Sequence, residues 1–248
     1  MTKTLGGKTV YGASIGILML ETRFPRIPGD IGNALSWPFP VHYRVVRGAT
    51  PDNIVRGDPT ERMDDFIAAG RDLVDMGCDG IATNCGFLAL LQDEMAAALG
   101  VPVATSALMQ APMVQATLPP GRHVSILTIS EATLGRAHLQ AAGVPADTPV
   151  VGTDAGQEFT RAVLGDEQEI DFAACRTDLL DAAATLTRMH PQTGAIILEC
   201  TNMVPYAADI RLQTGLPVYS IHSFLTWFQS GLMPRRFAVD FDDPRARF

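Results

Sequence analysis

The sequence predicts an α/β protein made of two similar doubly wound domains, each with its own parallel sheet. Short apolar runs that suit buried strands alternate with longer segments that suit helices. The chain has 248 residues, which is long enough to fill two hydrophobic cores. Spacings in the first half return in the second half, which indicates an internal duplication related by a pseudo-twofold axis.

The predicted strands are continuous apolar runs bounded by turn residues, a pattern typical of parallel sheets covered on both faces. Ile-Gly-Ile-Leu-Met-Leu at 15–20 opens the first half, and Val-Ser-Ile-Leu-Thr-Ile at 124–129 opens the second. We predict further strands at residues 41–46, 80–83, 101–104, 149–151, 195–198 and 216–221.

Helices are predicted between these strands. Asp58 is a suitable N-cap and Pro59 a suitable first helical residue. We predict helices at residues 58–76, 87–99, 107–118, 204–213 and 222–232, one helix ending near residue 142, and two helical pieces within 156–190. The Pro- and Gly-rich stretch 24–40 has no such pattern, and a loop of this length is often a functional lid. Residues 238–248 are predicted to form a charged surface tail.

The domain boundary is predicted at Pro119-Pro120-Gly121, the clearest break in the chain. We assign residues 1–121 with 222–248 to the first domain, and residues 122–221 to the second. Seventeen residues separate Cys85 from Pro102, and the same number separates Cys200 from Pro217. Ligands of parallel sheets bind outside the carboxyl ends of the strands. We therefore expect Cys85 and Cys200 to face each other across an active-site cleft between the domains.

Composition excludes several classes of function. The net charge is −8 and no basic stripe is present, which argues against nucleic acid as a partner. No stretch reaches the roughly 18 apolar residues of a membrane span, and the first residues lack a signal-peptide core, so we expect a cytoplasmic protein. The four cysteines lack metal-ligand spacing, so no metal is predicted. Cys78 and Cys175 are expected to be structural.

Two poised thiols suit proton transfer at carbon. A thiolate is a good base when its pKa falls below about 8.5, and a helix N-terminus lowers that pKa. One cysteine could remove a proton from a carbon and the other return it on the opposite face, which is racemisation without a cofactor. The carbanion needs preorganised donors. Candidates near the strand ends are Asn84, Gly86, Thr128, Ser130, Thr133, Thr201 and Asn202.

With both cysteines after equivalent strands, the chain resembles the aspartate/glutamate/hydantoin racemase superfamily. The resemblance implies a cofactor-independent two-domain α/β enzyme, Cys85 and Cys200 as its acid–base pair, and Glu21 as the acidic residue after the opening strand. Glutamate racemases carry Cys-Asn-Thr and Cys-Thr-His where this chain has Cys85-Gly86-Phe87 and Cys200-Thr201-Asn202. A peptidoglycan glutamate racemase is therefore disfavoured. The first of these motifs, with Pro28-Gly29-Asp30, is similar to the dimethylsulfoniopropionate lyase branch.

The preferred hypothesis is a racemase or isomerase acting on a small carboxylate, such as an amino acid or a derivative. The alternative enzyme is a lyase of the dimethylsulfoniopropionate type, in which a cysteine removes the proton next to a carboxylate and a sulfide leaves. The third hypothesis is a non-catalytic protein that binds a small molecule. His222 is interpreted as a structural residue at a helix start, with a role in the cleft left open. A homodimer or higher homo-oligomer is expected.

Overall fold

A computed structural model of the chain describes residues 5–237, which contain two four-stranded parallel sheets. The first sheet contains β1 (Ile15–Leu20), β2 (Val41–Val46), β3 (Gly80–Thr83) and β4 (Val103–Ala104). The second contains β5 (His123–Thr128), β6 (Val150–Gly152), β7 (Thr193–Leu198) and β8 (Val218–Tyr219). The strand orders are β2-β1-β3-β4 and β6-β5-β7-β8. The predicted α/β fold with two similar sheets is therefore confirmed.

Burial explains why these segments pair as central strands. Every residue of β1 is buried, as expected for a strand between two neighbours with helices on both faces. Ile15 lies opposite Val41 in β2 and Gly80 in β3, so the three strands begin in register. The strands predicted at 101–104 and 216–221 begin only at Val103 and Val218, because Pro102 and Pro217 have no N–H to donate to a neighbouring strand. The second also ends early, at Tyr219, because Ser220 is the N-cap of a helix that starts at Ile221.

Nine α-helices lie within residues 5–237. They are α1 (Pro51–Val55), α2 (Met63–Asp75), α3 (Gln92–Leu99), α4 (Ala111–Ala116), α5 (Arg136–Ala141), α6 (Phe159–Leu164), α7 (Phe172–Met189), α8 (Ala207–Thr214) and α9 (Ile221–Leu232). The sequence analysis missed α1, because five residues are too short to show a helical period. Its signal is local: Thr50 and Asn53 form a capping box in front of Pro51.

The helices predicted to start at residues 87 and 204 begin differently, and those starts were wrong. Each cysteine is followed by a 3-10 helix of six residues, Gly86–Leu91 in the first half and Thr201–Tyr206 in the second. The α-helices α3 and α8 begin only after them and end at Gly100 and Gly215, both left-handed. The duplication therefore extends to the local backbone after each cysteine, and neither thiol lies at an α-helix N-terminus.

The last helix returns to the first sheet. Ile221, Phe224 and Leu225 of α9 pack in one cluster with Ile15 and Ile17 of β1. This packing supports our division of the chain into residues 1–121 with 222–248 and residues 122–221, which stays a prediction. The predicted surface tail, 238–248, lies outside the described residues.

Candidate active site

A small pocket lies where the carboxyl ends of β1, β3, β5 and β7 approach each other. Both Cys85 and Cys200 line it, together with Glu199 and Arg26. The space between its atoms is about 350 Å³ with open solvent included, but only about 20 Å³ of it admits a water-sized sphere, so the pocket is nearly closed in this structure. Its apolar walls come from both halves of the chain: Leu20, Phe24, Phe87, Ile129, Val163 and Leu164.

Both thiols are buried, and burial raises their pKa well above the usual range for a cysteine. The charge of Glu199 raises the pKa of each thiol further. For Cys85 this is opposed by the N–H groups of Phe87 and Leu88 and by Arg26. Our expectation of lowered pKa values was wrong, because a 3-10 helix offers these N–H groups without the field of an α-helix, and burial outweighs them.

The two thiols differ in their surroundings. The N–H of Asn202 is the one contact that lowers the pKa of the Cys200 thiol, whereas Cys85 and Asp30 raise that pKa further. Two backbone N–H groups and a guanidinium act to lower the pKa of the Cys85 thiol. The anionic form is therefore better supported at Cys85 than at Cys200.

Glu199 is a buried carboxyl between the two halves that the sequence analysis did not count as a site residue. Its side chain accepts hydrogen bonds from the Thr128 hydroxyl, at 2.8 Å, and from the N–H groups of Ile129 and Gly86. Burial outweighs these donors and raises its pKa from 4.5 to about 7. A carboxyl with a pKa near neutrality can take and release protons at physiological pH. Its position directly before Cys200 was the only signal available in the sequence.

Gly86 is required by the approach of Glu199. A Cβ atom at this position would collide with Glu199 Oε1 and lie 2.8 Å from the Glu199 carbonyl oxygen. The departure of Cys85-Gly86-Phe87 from the glutamate racemase pattern therefore has a local physical reason: a carboxyl of the second half occupies the space above residue 86.

Arg26 and Asp30 bring opposite charges to the site from the predicted lid loop. The Arg26 guanidinium donates to Asp30 Oδ1 at 2.7 Å and to the Thr22 hydroxyl at 2.9 Å, and it lies over the Phe24 ring at 4.5 Å. Asp30 Oδ2 accepts from Asn202 Nδ2 at 2.6 Å. The sequence analysis named Asp30 only within Pro28-Gly29-Asp30 and missed Arg26, because the side-chain directions of a long loop cannot be read from its sequence.

The structure brings most of the predicted binding residues to this region. Asn84, Gly86 and Asn202 line the pocket. Thr128 lies behind it on Glu199, and the Thr201 hydroxyl donates to the Asn84 carbonyl at 2.7 Å, which joins the two halves.

Thr128 and Thr201 do not line the pocket themselves, and neither do the three remaining predicted residues. Glu21 accepts from Arg47 and from the Gly48 N–H and points to the outer side of the loop. Ser130 is buried, and its N–H points to the Thr128 hydroxyl at 3.4 Å. The Thr133 hydroxyl is buried without a hydrogen-bond partner. None of these three residues contributes to the pocket lining.

His222 contacts the lid loop. Its ring stacks on Trp37 at 5.3 Å, and its Nε2 atom lies 3.0 Å from the Ser36 carbonyl oxygen. Among the described residues, no group of three or more His, Cys, Asp or Glu side chains is arranged to hold a metal ion. No helix within residues 5–237 has the length and apolar character to cross a membrane.

Comparison with solved structures defines the fold class. A mutant of arylmalonate decarboxylase in a sulfate-associated form matches with a TM-score of 0.60 and 15% identity, over 92% of this chain and 97% of that chain. Allantoin racemase from Pseudomonas fluorescens matches with a TM-score of 0.52 and 16% identity, over 91% and 100% of the two chains. Glutamate racemase from Francisella tularensis in complex with D-glutamate matches with a TM-score of 0.52 and 11% identity, over 91% of this chain and 85% of that chain. The chain has the two-domain fold of the aspartate/glutamate racemases.

The sequence relatives are more specific. No family model matches the chain. It is 28% identical over 215 residues to a dimethylsulfoniopropionate lyase of Durusdinium sp. clade D, covering 84% of this chain and 71% of the relative. It is 28% identical over 239 residues to dimethylsulfoniopropionate lyase 7 of Emiliania huxleyi, covering 92% and 70%. Lyase 6 of that alga is 29% identical over 239 residues, covering 92% and 62%. The resemblance stated from the sequence is confirmed, including its lyase branch.

Proposed function

We propose that this protein is a cysteine-dependent lyase that removes a sulfide from a small sulfonium carboxylate of the dimethylsulfoniopropionate type. The observation that carries the proposal is the pocket in which the Cys85 thiol and the Arg26 guanidinium lie among apolar side chains. The similarity to dimethylsulfoniopropionate lyases over 84 and 92% of the chain supports this substrate over an amino acid.

In this proposal Arg26 holds the substrate carboxylate and Cys85 acts as the base. The Cys85 thiolate removes a proton from the carbon next to the carboxylate. The electron pair of that C–H bond forms the carbon–carbon double bond, and the C–S bond breaks with its electrons staying on sulfur. The products are a neutral dialkyl sulfide and an unsaturated carboxylate. Asn84 and Asn202 line the pocket and supply polar groups for the charge that develops on the carboxylate.

Glu199 is proposed to generate the thiolate. The ionised carboxylate accepts the thiol proton in a step that is uphill, because the pKa of Cys85 is raised well above that of Glu199. The resulting neutral carboxyl no longer opposes the negative charge on sulfur. After elimination the proton on Cys85 returns through Glu199 to solvent. Every step of the proposed cycle uses side chains of this chain and solvent.

Racemisation or isomerisation is the second candidate, because Cys200 lines the same pocket as Cys85. In that reaction Cys200 would return the proton on the face opposite to Cys85. This was the preferred hypothesis from the sequence, and we place it second because of the named sequence relatives. The expected homo-oligomer, the cytoplasmic location and the absence of a nucleic-acid partner stay predictions.

The test is incubation of the purified protein with dimethylsulfoniopropionate and with a panel of amino acids in deuterated water. We expect release of dimethyl sulfide, detected by gas chromatography, and no inversion of the amino acids. Cys85→Ser should lower kcat/KM by about 10²-fold or more, as expected for loss of a general base, and Cys200→Ser should have a smaller effect. Deuterium at the α-carbon with inversion would support the racemase instead. Neither exchange nor elimination would favour a binding protein.

A further inference from the structure

A second cavity lies directly beside the thiol pocket. The space between its atoms is about 300 Å³ with open solvent included, of which about 20 Å³ admits a water-sized sphere, so it is nearly closed in this structure. Phe24, Val163 and Asn202 line both it and the thiol pocket. The proposed chemistry does not use this space. It is closed on one side by the lid loop, through Phe24 and Asp30, and on the other by helices of the second half.

The walls of this cavity are rich in aromatic rings. Phe24, Phe159, Phe172 and Tyr206 all line it. The rings of Phe159 and Tyr206 are 6.4 Å apart and perpendicular, so they form two different walls rather than one stack. Phe24 already has a cation against its ring, the Arg26 guanidinium at 4.5 Å. Aromatic faces arranged around a space attract small onium cations, whose charge is spread over methyl groups.

The charges of the two cavities are arranged for a zwitterion. Arg26 lines the thiol pocket but not the aromatic cavity, whereas Asp30 lines the aromatic cavity but not the thiol pocket. Asp30 is already paired with Arg26, so the rings supply most of the attraction for a cation. A short molecule with its carboxylate at Arg26 and its cationic group among the rings would lie across both cavities, and Cys85 lines the cavity that holds Arg26.

We propose that the aromatic cavity formed by Phe24, Phe159, Phe172 and Tyr206 is a binding subsite for the sulfonium group of the substrate. This inference rests on the proposed lyase function. It also accounts for product release: when the C–S bond breaks, sulfur keeps the electron pair and loses its positive charge. The attraction between the cation and the rings is then lost, and the neutral sulfide is held only by apolar contact.

The probe for this subsite is the trimethylsulfonium ion, which has no carboxylate and cannot undergo the proposed elimination. Tert-butyl alcohol, a neutral molecule of similar branched shape, is the matched control ligand. Binding to the full-length protein is followed by the NMR shift of the probe methyl groups, which aromatic rings displace upfield. We expect trimethylsulfonium to bind at least about tenfold more tightly than the alcohol, a difference of about 1.4 kcal/mol.

Two variants locate the binding. Phe172→Leu removes one ring and should weaken trimethylsulfonium binding about fivefold, while Ile170→Trp fills the cavity and should abolish it. Phe228→Leu removes a ring of α9 that does not line the cavity and should change nothing. Equal binding of the neutral alcohol, or binding unchanged in both cavity variants, would overturn the proposal.

The subsite and the lyase function can fail separately. If trimethylsulfonium binds as expected but no sulfide is released from dimethylsulfoniopropionate, the lyase assignment is wrong and the onium site stands. If sulfide is released but Ile170→Trp leaves trimethylsulfonium binding intact, the subsite is wrong and the lyase stands.

Discussion

Glu199 is a single buried carboxyl whose ionisation is linked to the stability of the fold. Its pKa is about 7 in the folded protein against 4.5 for an ordinary glutamate, and each pKa unit corresponds to about 1.4 kcal/mol. Below pH 4.5 the group is protonated in both states, so its contribution to stability is complete. As the pH rises towards 7, the unfolded chain ionises freely while the buried carboxyl does not, so that contribution is lost.

We expect the free energy of unfolding to fall by about 3 kcal/mol between pH 4.5 and 7 through this group alone. The measurement is urea unfolding at several pH values, with Glu199→Gln as the reference protein. Because Gln does not titrate, the difference between wild type and Glu199→Gln isolates the group. A difference that stays constant over this pH range would show that Glu199 titrates at its ordinary pKa.

Gly86→Ala is expected to lower the free energy of unfolding by about 1 to 3 kcal/mol, because the added Cβ must push Glu199 aside in a packed core. It should also lower kcat, since Glu199 then loses its place beside the thiols. The measurements are urea unfolding and steady-state kinetics. Gly231→Ala is the control: nothing lies within 4 Å of its added Cβ, so stability should stay the same or rise slightly. Equal behaviour of the two variants would contradict the assigned contact.

At the scale of single residues, the sequence located the two thiols of the pocket but not their neighbours. The repeat was enough to pair Cys85 with Cys200, because equivalent positions in a duplicated fold lie at equivalent strand ends. It could not place Arg26 or Glu21, because both lie in the loop region after β1, where backbone turns decide which side chains point inward. The Gly48 N–H and Arg47 hold Glu21 outside, and nothing in the sequence near Glu21 indicates this.

The lid loop is the element that closes both cavities, and it is tied to the second half by a few polar contacts. Asp166 accepts from the N–H groups of Arg23 and Phe24 at 2.6 and 3.3 Å. Asp166 has a φ of 52°, which few residues other than glycine adopt. The backbone at Asp166 therefore adopts an uncommon conformation while its carboxylate holds the start of the loop.

Asp166→Gly should loosen this loop without adding backbone strain, because glycine accepts a positive φ. A hydrogen bond to a charged group contributes about 1.5 kcal/mol, so we expect amide hydrogen exchange at Arg23 and Phe24 to become about tenfold faster. Exchange is measured by mass spectrometry at the peptides covering residues 22–37. Asp209→Ala is the control, since it removes a surface ion pair with Arg176 that does not involve the loop. Similar exchange rates in the two variants would show that Asp166 does not hold the start of the loop.

Regular elements were predicted best where hydrophobic pattern alone decides them. The strands at 15–20, 41–46 and 80–83 are confirmed to the residue. The first and third are buried throughout, and 41–46 has the alternating, β-rich sequence of an edge strand. The 3-10 helices after the cysteines could not be separated from α-helices. Both conformations bury the same residues at first, and the choice depends on packing across the two halves.

The whole molecule behaves as one packed body rather than two independent halves. One cluster of buried side chains contains both Leu18 of β1 and Leu127 of β5. Gln110 Nε2 donates to the Ser220 carbonyl at 3.0 Å, which ties the end of the second half to the first. The pocket itself lies on this shared core, so the spacing of its groups depends on both halves being folded at once.

We therefore expect a single cooperative unfolding transition, in which β1 and β5 exchange their amide hydrogens through the same global opening. Thr201→Val tests the coupling, because it leaves the buried Asn84 carbonyl without the Thr201 hydroxyl and should cost about 1 to 3 kcal/mol. Hydrogen exchange in urea should show the same loss in both sheets. Thr226→Val removes an exposed hydroxyl contact within α9 and should change little. If protection is lost in the second sheet alone, the two halves fold separately and the pocket is assembled only by their docking.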